Sequence, residues 1–389
     1  MQRHQRLSII LATNCRVLDE GTRPISSMST VQSDEAGLPG LPAAPLFTVF
    51  TATYNRAHTI HRVYDCLCKQ TLPDFEWLVI DDGSTDRTAE LICAWARVAN
   101  FPIRYFKQVH SGKHIAHNRA LREARGRFFA YLDSDDALLP NALEKLIRGW
   151  STIPENQQHA FYSVGALCCD QSGKIIGDIF ATDPFDADFR ELRYIHRIRG
   201  EKWIVGLTDV MRCYPFPEVI GIQFIPEGMV WSNIAKSFKT RWSNDVLRIY
   251  YVDDLETGAT LSKRASFGDH ALGRWYYYVW LLNNDLEYFF HSPLPFLKAA
   301  AILPILGCFS GQTLRQALDA LKFRSAKMLV LSALPLSALL FAFARASAFY
   351  RPKHGGAPAI SVEETRLSTY SGRSVRSAAD NKQDPSVRT

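Results

Sequence analysis

An alternation of apolar runs and helix-like segments, repeated four times between residues 46 and 150, constrains the fold of this 389-residue chain most strongly. Strands are predicted at 46–52, 75–80, 103–106 and 128–132, and helices at 57–69, 86–98, 112–124 and after Pro140. Consecutive parallel strands need helical crossovers of this kind. The pattern therefore predicts an α/β fold in which a mostly parallel sheet is flanked by helices.

Polar side chains gather where the predicted strands end. Asn55 and Arg56 follow the first strand, Asp82 and Gly83 follow the second, and Lys113 begins the helix after the third. The carboxyl ends of parallel strands meet at one edge of a sheet, where ligands bind. Asn55 and Arg56 suit a phosphate at a helix entrance, Asp82 suits a base or ribose, and Lys113 offers a charge for phosphate. Gly83 permits a tight turn.

The fourth predicted strand ends in the segment Asp133-Ser134-Asp135-Asp136. Two carboxylates one residue apart can hold a hard divalent cation through oxygen ligands, and such a cation suits the phosphates of a nucleotide. The alternative is that these acidic residues only cap the helix that follows.

Composition and missing motifs exclude several classes of protein. The net charge is +6, and residues 351–389 supply +3 of it, from seven Lys/Arg and four Asp/Glu. A dense basic stripe typical of a nucleic-acid binder is missing, so no nucleic acid is expected as a partner. The eight cysteines show no metal-ligand spacing and favour a reducing compartment. Neither a dinucleotide-binding glycine motif nor a P-loop occurs.

Taken together, the motifs resemble glycosyltransferase family 2, over roughly residues 46–150 and in the family's order. The matching segments are Thr53-Tyr54-Asn55-Arg56, Asp81-Asp82-Gly83-Ser84, Gly112-Lys113-x-x-Ala116-x-Asn118, Ala124-Arg125-Gly126 and Asp133-Ser134-Asp135-Asp136. The resemblance implies a GT-A, Rossmann-like fold and an inverting transferase. It also implies a nucleotide-diphosphate sugar as donor and Mg²⁺ or Mn²⁺ as cofactor.

The resemblance also implies roles for individual residues. Asn55 and Asp82 would hold the base and ribose, and Asp133 and Asp135 would form the metal-diphosphate motif, with Asp135 the closer ligand. The role of Asp136 stays open. The remaining residues assigned to the donor site are Thr53, Arg56, Gly83, Lys113, Asn118 and Ser134.

Inverting transfer needs a base that takes the proton of the acceptor hydroxyl. Glu227 is the candidate, because it stands at a predicted helix start, where the helix dipole favours a carboxylate. The run around it resembles one that many family members carry near their base. The alternatives are that Glu227 only caps its helix, or that Asp253 or Asp254 is the base.

The second half of the chain is less regular. A hairpin is predicted from 160–169 and 174–179, a helix over 228–238, and two short strands within 241–251. An aromatic-rich helix is predicted over 267–290.

Family relatives that build long polymers carry Gln-x-x-Arg-Trp. Here Arg274-Trp275 is present, but Ala271 stands in place of the glutamine. This departure favours the transfer of one sugar at a time.

Apolar runs at 294–309 and 328–344 mark the C-terminal region, and six basic and no acidic residues lie between Lys322 and Lys353. This pattern predicts peripheral contact with a membrane through 294–350, at its cytoplasmic face. A spanning helix and a buried helical pair are the alternatives. The predicted domains are a disordered leader (1–44), the transferase domain (45–262), a helical region (263–350) and a disordered tail (351–389).

The leading hypothesis is therefore a metal-dependent glycosyltransferase acting on a cell-surface polysaccharide or a lipid-linked saccharide. A non-catalytic module that binds nucleotide sugars is the first alternative, and it would keep Asp82 but lack a working base. A nucleotidyltransferase is the second, but it would need a Gly-rich basic loop after the first strand, which residues 53–56 do not supply.

Overall fold

The architecture is a mixed sheet with helices packed on both faces and a group of helices at the C-terminal end. A computed structural model of the chain describes residues 44–219, 221–251 and 270–349. Within these residues the sheet has nine strands. They are β1 (Phe47–Thr53), β2 (Phe75–Asp81), β3 (Ile103–Lys107), β4 (Phe128–Tyr131), β5 (Ala137–Leu138), β6 (Phe161–Cys169), β7 (Phe185–Ala187), β8 (Lys202–Leu207) and β9 (Lys239–Ile249).

The helices alternate with strands in the first half and follow one another in the last part. The α-helices are α1 (His61–Leu67), α2 (Thr88–Trp95), α3 (Lys113–Glu123), α4 (Ala142–Ser151), α5 (Thr208–Arg212), α6 (Gly228–Ile234), α7 (Ala271–Asn284), α8 (Pro293–Ser310), α9 (Leu314–Ala320), α10 (Arg324–Ser332) and α11 (Leu334–Phe349). Shorter helical turns are Glu155–Ala160, Glu191–Ile195 and Leu286–Tyr288.

The first four strands form the parallel part of the sheet, which confirms the predicted fold class. Their order is β3-β2-β1-β4, and Thr53 at the end of β1 lies beside Asp81 at the end of β2. The side chains of β1 and β2 are buried on both faces, as is typical of a parallel sheet covered by helices. The polar ends of β1, β2 and β4 therefore lie along one edge.

The other half of the sheet departs from the predicted hairpin. Residues 174–179 contribute a single bridge, between Cys169 and Ile175, and β6 pairs instead with β8 and β9. All nine residues of β6 are buried, whereas Ile175 and Ile179 of the segment 174–179 are exposed, so this segment does not cover the strand. Sequence patterns report burial along a strand but not which distant strand pairs with it.

The two short strands predicted within 241–251 are one long strand, β9. Its polar middle stays in the sheet because Asn244 bonds to another loop: its side chain accepts from the Phe180 N–H at 2.8 Å and donates to the Phe180 carbonyl at 3.0 Å. Irregular pairing with β6 absorbs the extra residues. The predicted division into two short strands was wrong because a tertiary contact satisfies the polar side chain of Asn244.

Two large hydrophobic clusters cover the faces of the sheet. One lies under α1, α2 and α4, and the other joins α3 to the C-terminal helices α7 and α8. Inter-residue contacts divide the chain into two units, 1–344 and 345–389, and the candidate site lies wholly in the first. Residues 1–43 of the predicted leader, the predicted tail, Asp253 and Asp254 lie outside the described residues. The predicted domain boundaries stay a prediction.

Candidate active site

The loop after β1 and the loop after β2 are tied together by Asn55. Its side-chain oxygen accepts hydrogen bonds from the backbone N–H groups of Thr85 at 2.8 Å and Asp86 at 3.3 Å. Its own N–H donates to the Ser84 hydroxyl at 2.9 Å. Asn55 has a φ of 53°, a left-handed conformation that asparagine tolerates better than most residues. Asn55 therefore shapes the edge of the sheet at the predicted donor site.

Asp82 holds the loop 108–112 against the end of β2. Its buried carboxylate accepts from the N–H groups of Ser111 at 2.9 Å and Gly112 at 2.8 Å, and from the Gln108 amide at 2.8 Å. The His110 ring nitrogen lies 2.9 Å from the second oxygen. Each carboxylate oxygen has two partners, so Asp82 positions this loop before it binds anything else.

Two glycines allow the loops to approach each other. Gly83 has a φ of 92° and Gly112 a φ of 103°, both in the left-handed region that favours glycine. A Cβ atom on Gly112 would lie 2.0 Å from the Gln223 carbonyl oxygen. The loop that leads to Glu227 therefore packs directly on the start of α3.

Tyr54 and His110 form an exposed aromatic stack at this edge. Their ring centroids lie 4.2 Å apart with an interplanar angle of 23°. Neither residue was predicted to belong to the site. The available signal was an aromatic residue immediately before Asn55, but nothing in the sequence indicated that the loop after β3 would bring His110 over it.

The acidic segment after β4 surrounds a buried arginine from β9. Arg248 donates from Nε to Asp136 at 2.8 Å and from Nη2 to Asp133 at 2.9 Å, and Nη2 also contacts Asp136. The Glu201 carboxylate lies 3.6 Å from its Nη1. The side chain of Arg248 is 5% exposed and that of Asp136 is 2% exposed, so this pair is buried. Sequence reasoning missed Arg248, because one arginine in an irregular strand carries no local signal.

Lys113 joins Asp133 to Glu227. Its ammonium group lies 2.7 Å from Asp133 Oδ1 and 3.0 Å from Glu227 Oε1. Burial alone would lower the pKa of Lys113, but the two carboxylates outweigh it and raise that pKa, so the lysine stays charged. Glu227 directly precedes α6 and makes no side-chain capping bond. The predicted phosphate ligand, metal ligand and base thus form one network.

The carboxylates of this network differ in how well cations neutralise them. Burial alone would raise the pKa of Asp133, but Lys113 and Arg248 together hold it below its usual value. The pKa of Asp135 is raised, by burial and by the charge of Asp133, because its ion pair with Arg56 is long, at 4.0 Å. An added cation would therefore stabilise the charged form of Asp135.

The other predicted site residues, Thr53, Ser134 and Asn118, do not all face this network. Thr53 is buried, and its carbonyl accepts the Asp82 N–H at 2.8 Å. Ser134 is buried between the two metal-ligand candidates. Asn118 faces elsewhere: its amide bonds to the N–H and the carbonyl of Phe216 and to the Glu218 carboxylate, all within 2.9 Å. Its position supports a role in holding the loop before Glu227.

His114 and His117 lie on the buried face of α3. The Tyr131 hydroxyl contacts Nε2 of His117, and burial lowers the pKa of His117 to about 3. This histidine is therefore neutral near pH 7 and packs in the core.

The expected Mg²⁺ or Mn²⁺ ion prefers oxygen ligands. In the part of the chain that the structure describes, three or more His, Cys, Asp or Glu side chains nowhere converge on one point as metal ligands. Asp133 and Asp135 nevertheless offer hard oxygen ligands, and Asp135 has a raised pKa that a cation would relieve. Because Mg²⁺ is commonly held by one or two carboxylates together with substrate phosphates, the residues fit such an ion.

Comparison with known proteins agrees with the geometry. Residues 48–159 match the model of the family described as glycosyl transferase family 2. These residues form a glycosyltransferase family 2 domain. The match includes the ends of β1, β2 and β4 and the start of α3, so it contains every predicted donor-site residue.

Several curated proteins resemble the same part of the chain. The putative teichuronic acid biosynthesis glycosyltransferase TuaG of Bacillus subtilis is 34% identical over 95 residues, which is 24% of this chain and 38% of that protein. The glucosyltransferase WfgD of Escherichia coli, named for UDP-Glc and α-D-GlcNAc-diphosphoundecaprenol, is 39% identical over 97 residues, 24% of this chain and 37% of that protein. The chain thus spans less than two fifths of these relatives.

Among solved structures, the crystal structure of S. aureus TarS 1-349 in complex with UDP has a similar fold. It is 20% identical, covers 77% of this chain and 87% of its own, and has a TM-score of 0.50. The likeness supports the α/β architecture of the family 2 domain and reaches beyond it into the second half of the chain.

Proposed function

We propose that this protein is an inverting glycosyltransferase that moves one sugar from a nucleotide-diphosphate sugar to a hydroxyl acceptor. The observation that carries the proposal is the network of Asp133, Lys113 and Glu227, with contacts of 2.7 and 3.0 Å. A direct displacement needs a diphosphate site and a base on opposite sides of one sugar carbon. The network supports this arrangement because the Lys113 ammonium group contacts both the metal-ligand candidate Asp133 and the candidate base Glu227.

The donor would lie along the edge of the sheet. The stack of Tyr54 on His110 supports a planar base there, since exposed aromatic faces bind other rings. Arg56 and Lys113 would neutralise the diphosphate at the start of α3. Asp133 and Asp135 would hold the Mg²⁺ or Mn²⁺ ion, which offsets the charge on the leaving diphosphate.

Glu227 would act as the base in the transfer step. Its carboxylate would take the proton of the acceptor hydroxyl as the hydroxyl oxygen forms a bond to the anomeric carbon. The bond from that carbon to the diphosphate oxygen breaks, and the nucleoside diphosphate leaves with the electron pair. On donor binding, Lys113 would leave Glu227 and pair with the diphosphate, and this movement would free the base.

The names of the relatives support a surface polysaccharide or a lipid-linked saccharide as acceptor: one is named for teichuronic acid synthesis and another for a diphosphoundecaprenol-linked sugar. Such acceptors, together with the apolar C-terminal helices, support a location at the cytoplasmic face of a membrane and peripheral contact through 294–350. Ala271 in place of glutamine supports the transfer of a single sugar.

The test is release of nucleoside diphosphate from a panel of sugar nucleotides, with a saccharide acceptor and with or without Mn²⁺. Glu227→Gln should keep donor binding and lose at least about 100-fold in transfer, in the range typical of a lost general base. Glu155→Gln is the matched control on an exposed helical turn and should behave as the wild type.

Three outcomes would overturn the proposal. Normal transfer by Glu227→Gln removes the base assignment. Donor binding without turnover of any sugar nucleotide indicates the non-catalytic binding module. Release of pyrophosphate from a nucleoside triphosphate and a sugar phosphate indicates a nucleotidyltransferase.

A further inference from the structure

The helices α10 and α11 expose large apolar side chains. Within 334–343, Ser337 alone is buried, whereas Leu339 is 69% and Phe343 is 74% exposed. We call this apolar patch the α10–α11 surface. Its large members are Phe323, Met328, Leu331, Leu336, Leu339 and Phe343. Clustered large apolar side chains that stay exposed typically mark an interaction site.

The inner side of these helices is held against the protein by small residues. Ala326 and Val330 of α10 are buried, and the Ser337 hydroxyl donates to the Ala301 carbonyl of α8 at 2.8 Å. The distribution is therefore the reverse of an ordinary surface helix, which buries its large apolar residues and exposes polar ones. Leu336, Leu339 and Phe343 of α11 are exposed, whereas Phe341 packs against Phe309 of α8.

The charge on this surface has one sign. Lys322, Arg324 and Lys327 lie at its beginning, and no Asp or Glu occurs from 321 to 343. The nearest acidic residue in the sequence, Asp319, lies on α9 with Arg315 at 3.8 Å. Cations beside an apolar surface are complementary to anionic lipid head groups above acyl chains.

The geometry favours helices that lie along a membrane. Among the described helices, α8 alone is long and apolar enough by itself to cross a bilayer, and half of its 18-residue window is buried in the protein. The segments 324–332 and 334–343 meet these criteria only as a pair, with a bend of 48°. Because both are attached to α8 on one side, only their outer side is available to lipid.

We propose that the α10–α11 surface binds in the interfacial region of a bilayer that contains anionic lipids, with its helices parallel to the membrane. This inference rests on the proposed peripheral location at a membrane. It limits the membrane contact to residues 322–343 instead of 294–350, and it specifies that the lipids are anionic. A second copy of this chain is the competing occupant.

The experiment is flotation of the full-length protein with vesicles of phosphatidylcholine alone or mixed with phosphatidylglycerol. Leu339→Asp and Phe343→Asp should each weaken vesicle binding at least about tenfold, from the apolar burial that each loses. Val98→Asp is the matched control, because Val98 is 74% exposed in the sheet part of the protein, and it should bind as the wild type.

The charge is tested separately. The double variant Arg324→Gln/Lys327→Gln should lose about 25-fold on anionic vesicles, about fivefold for each charge, and little on phosphatidylcholine. The control variant Arg87→Gln/Arg97→Gln changes two exposed positions of the sheet part and should bind both kinds of vesicle as the wild type does. Thermal unfolding of each variant shows whether the fold is intact.

Equal flotation of Leu339→Asp, Phe343→Asp and the wild type would overturn the inference. The inference would also be overturned if the wild-type protein did not float and sedimented as a dimer, and if Leu339→Asp dissociated that dimer. A second copy of the chain would then cover the α10–α11 surface. Donor binding by the same variants should be unchanged. Failure of flotation therefore leaves the transferase proposal standing, and failure of donor binding leaves membrane docking standing.

Discussion

Removal of Arg248 should destabilise the fold more than removal of any exposed arginine. In Arg248→Met the Asp136 carboxylate, 2% exposed in its side chain, would lose its arginine partner and keep the Tyr251 N–H at 3.3 Å, while Asp133 would keep Lys113 at 2.7 Å. Breaking a buried pair by removing one partner typically costs about 3–5 kcal/mol. We expect a loss of this size in the free energy of unfolding.

Arg241→Met is the matched control because it lies on the same strand. Arg241 pairs with Asp186 at 2.7 Å, but Asp186 is 33% exposed in its side chain. Water replaces a lost partner at such a site, so a cost of about 1 kcal/mol or less is expected. Urea unfolding measures both variants, as a shift in the midpoint with an unchanged slope.

A second substitution tests the cause of the loss. Asp136→Asn in the Arg248→Met background removes the unpaired charge and should restore more than half of the lost stability. The deficit of Arg248→Met should also shrink as the pH falls, because burial raises the pKa of Asp136 and, without Arg248, it takes up a proton more readily. A cost below about 1 kcal/mol, or no rescue by Asp136→Asn, would refute the reasoning.

Three further predictions concern the site and the core beneath it. Lys113→Met should weaken binding of the donor diphosphate at least about tenfold in calorimetry, because a charge-assisted hydrogen bond is lost. The control Lys145→Met breaks only the pair with Asp245 and should bind the donor as the wild type does. Gly112→Ala should cost clearly more stability than Gly173→Ala in urea unfolding, since both have positive φ but only Gly112 meets a carbonyl oxygen at 2.0 Å; equal costs would contradict this. The pKa of His117 is lowered to about 3 in the folded protein, so below about pH 6.5 the unfolded chain binds a proton that the folded chain does not. The free energy of unfolding should therefore decline as the pH falls below about 6.5. His117→Phe should reduce that slope by about 1.4 kcal/mol per pH unit in urea unfolding between pH 6 and 4, and an unchanged slope would contradict the assignment.

The parallel half of the sheet could be predicted because its signals are local. In β1 and β2 an apolar run is followed within a few residues by a polar loop and a helix, and parallel pairing then brings the loops to one edge. The sequence therefore predicted that Asn55, Asp82, Lys113 and Asp135 lie near this edge, and their roles in binding the donor stay predictions.

The remaining features depend on contacts between distant parts of the chain. Arg248 reaches Asp136 only because β9 pairs with both β5 and β6, and periodicity contains no information on that pairing. Asn118 was predicted to lie in the donor site, yet its side-chain amide donates to the Phe216 carbonyl in a neighbouring loop. Such partners are set by tertiary packing, which local pattern does not report.

The central claim is that Asp135 and its neighbours bind a cation that holds the donor diphosphate. The most direct measurement is thermal stabilisation of the full-length protein by nucleotide sugars, with and without Mn²⁺, in the wild type, Asp135→Asn and the exposed control Asp65→Asn. We predict that at least one sugar nucleotide stabilises the wild type and the control only when Mn²⁺ is present, and that Asp135→Asn abolishes the effect. Stabilisation of Asp135→Asn equal to that of the wild type, in the presence of Mn²⁺, would contradict the account.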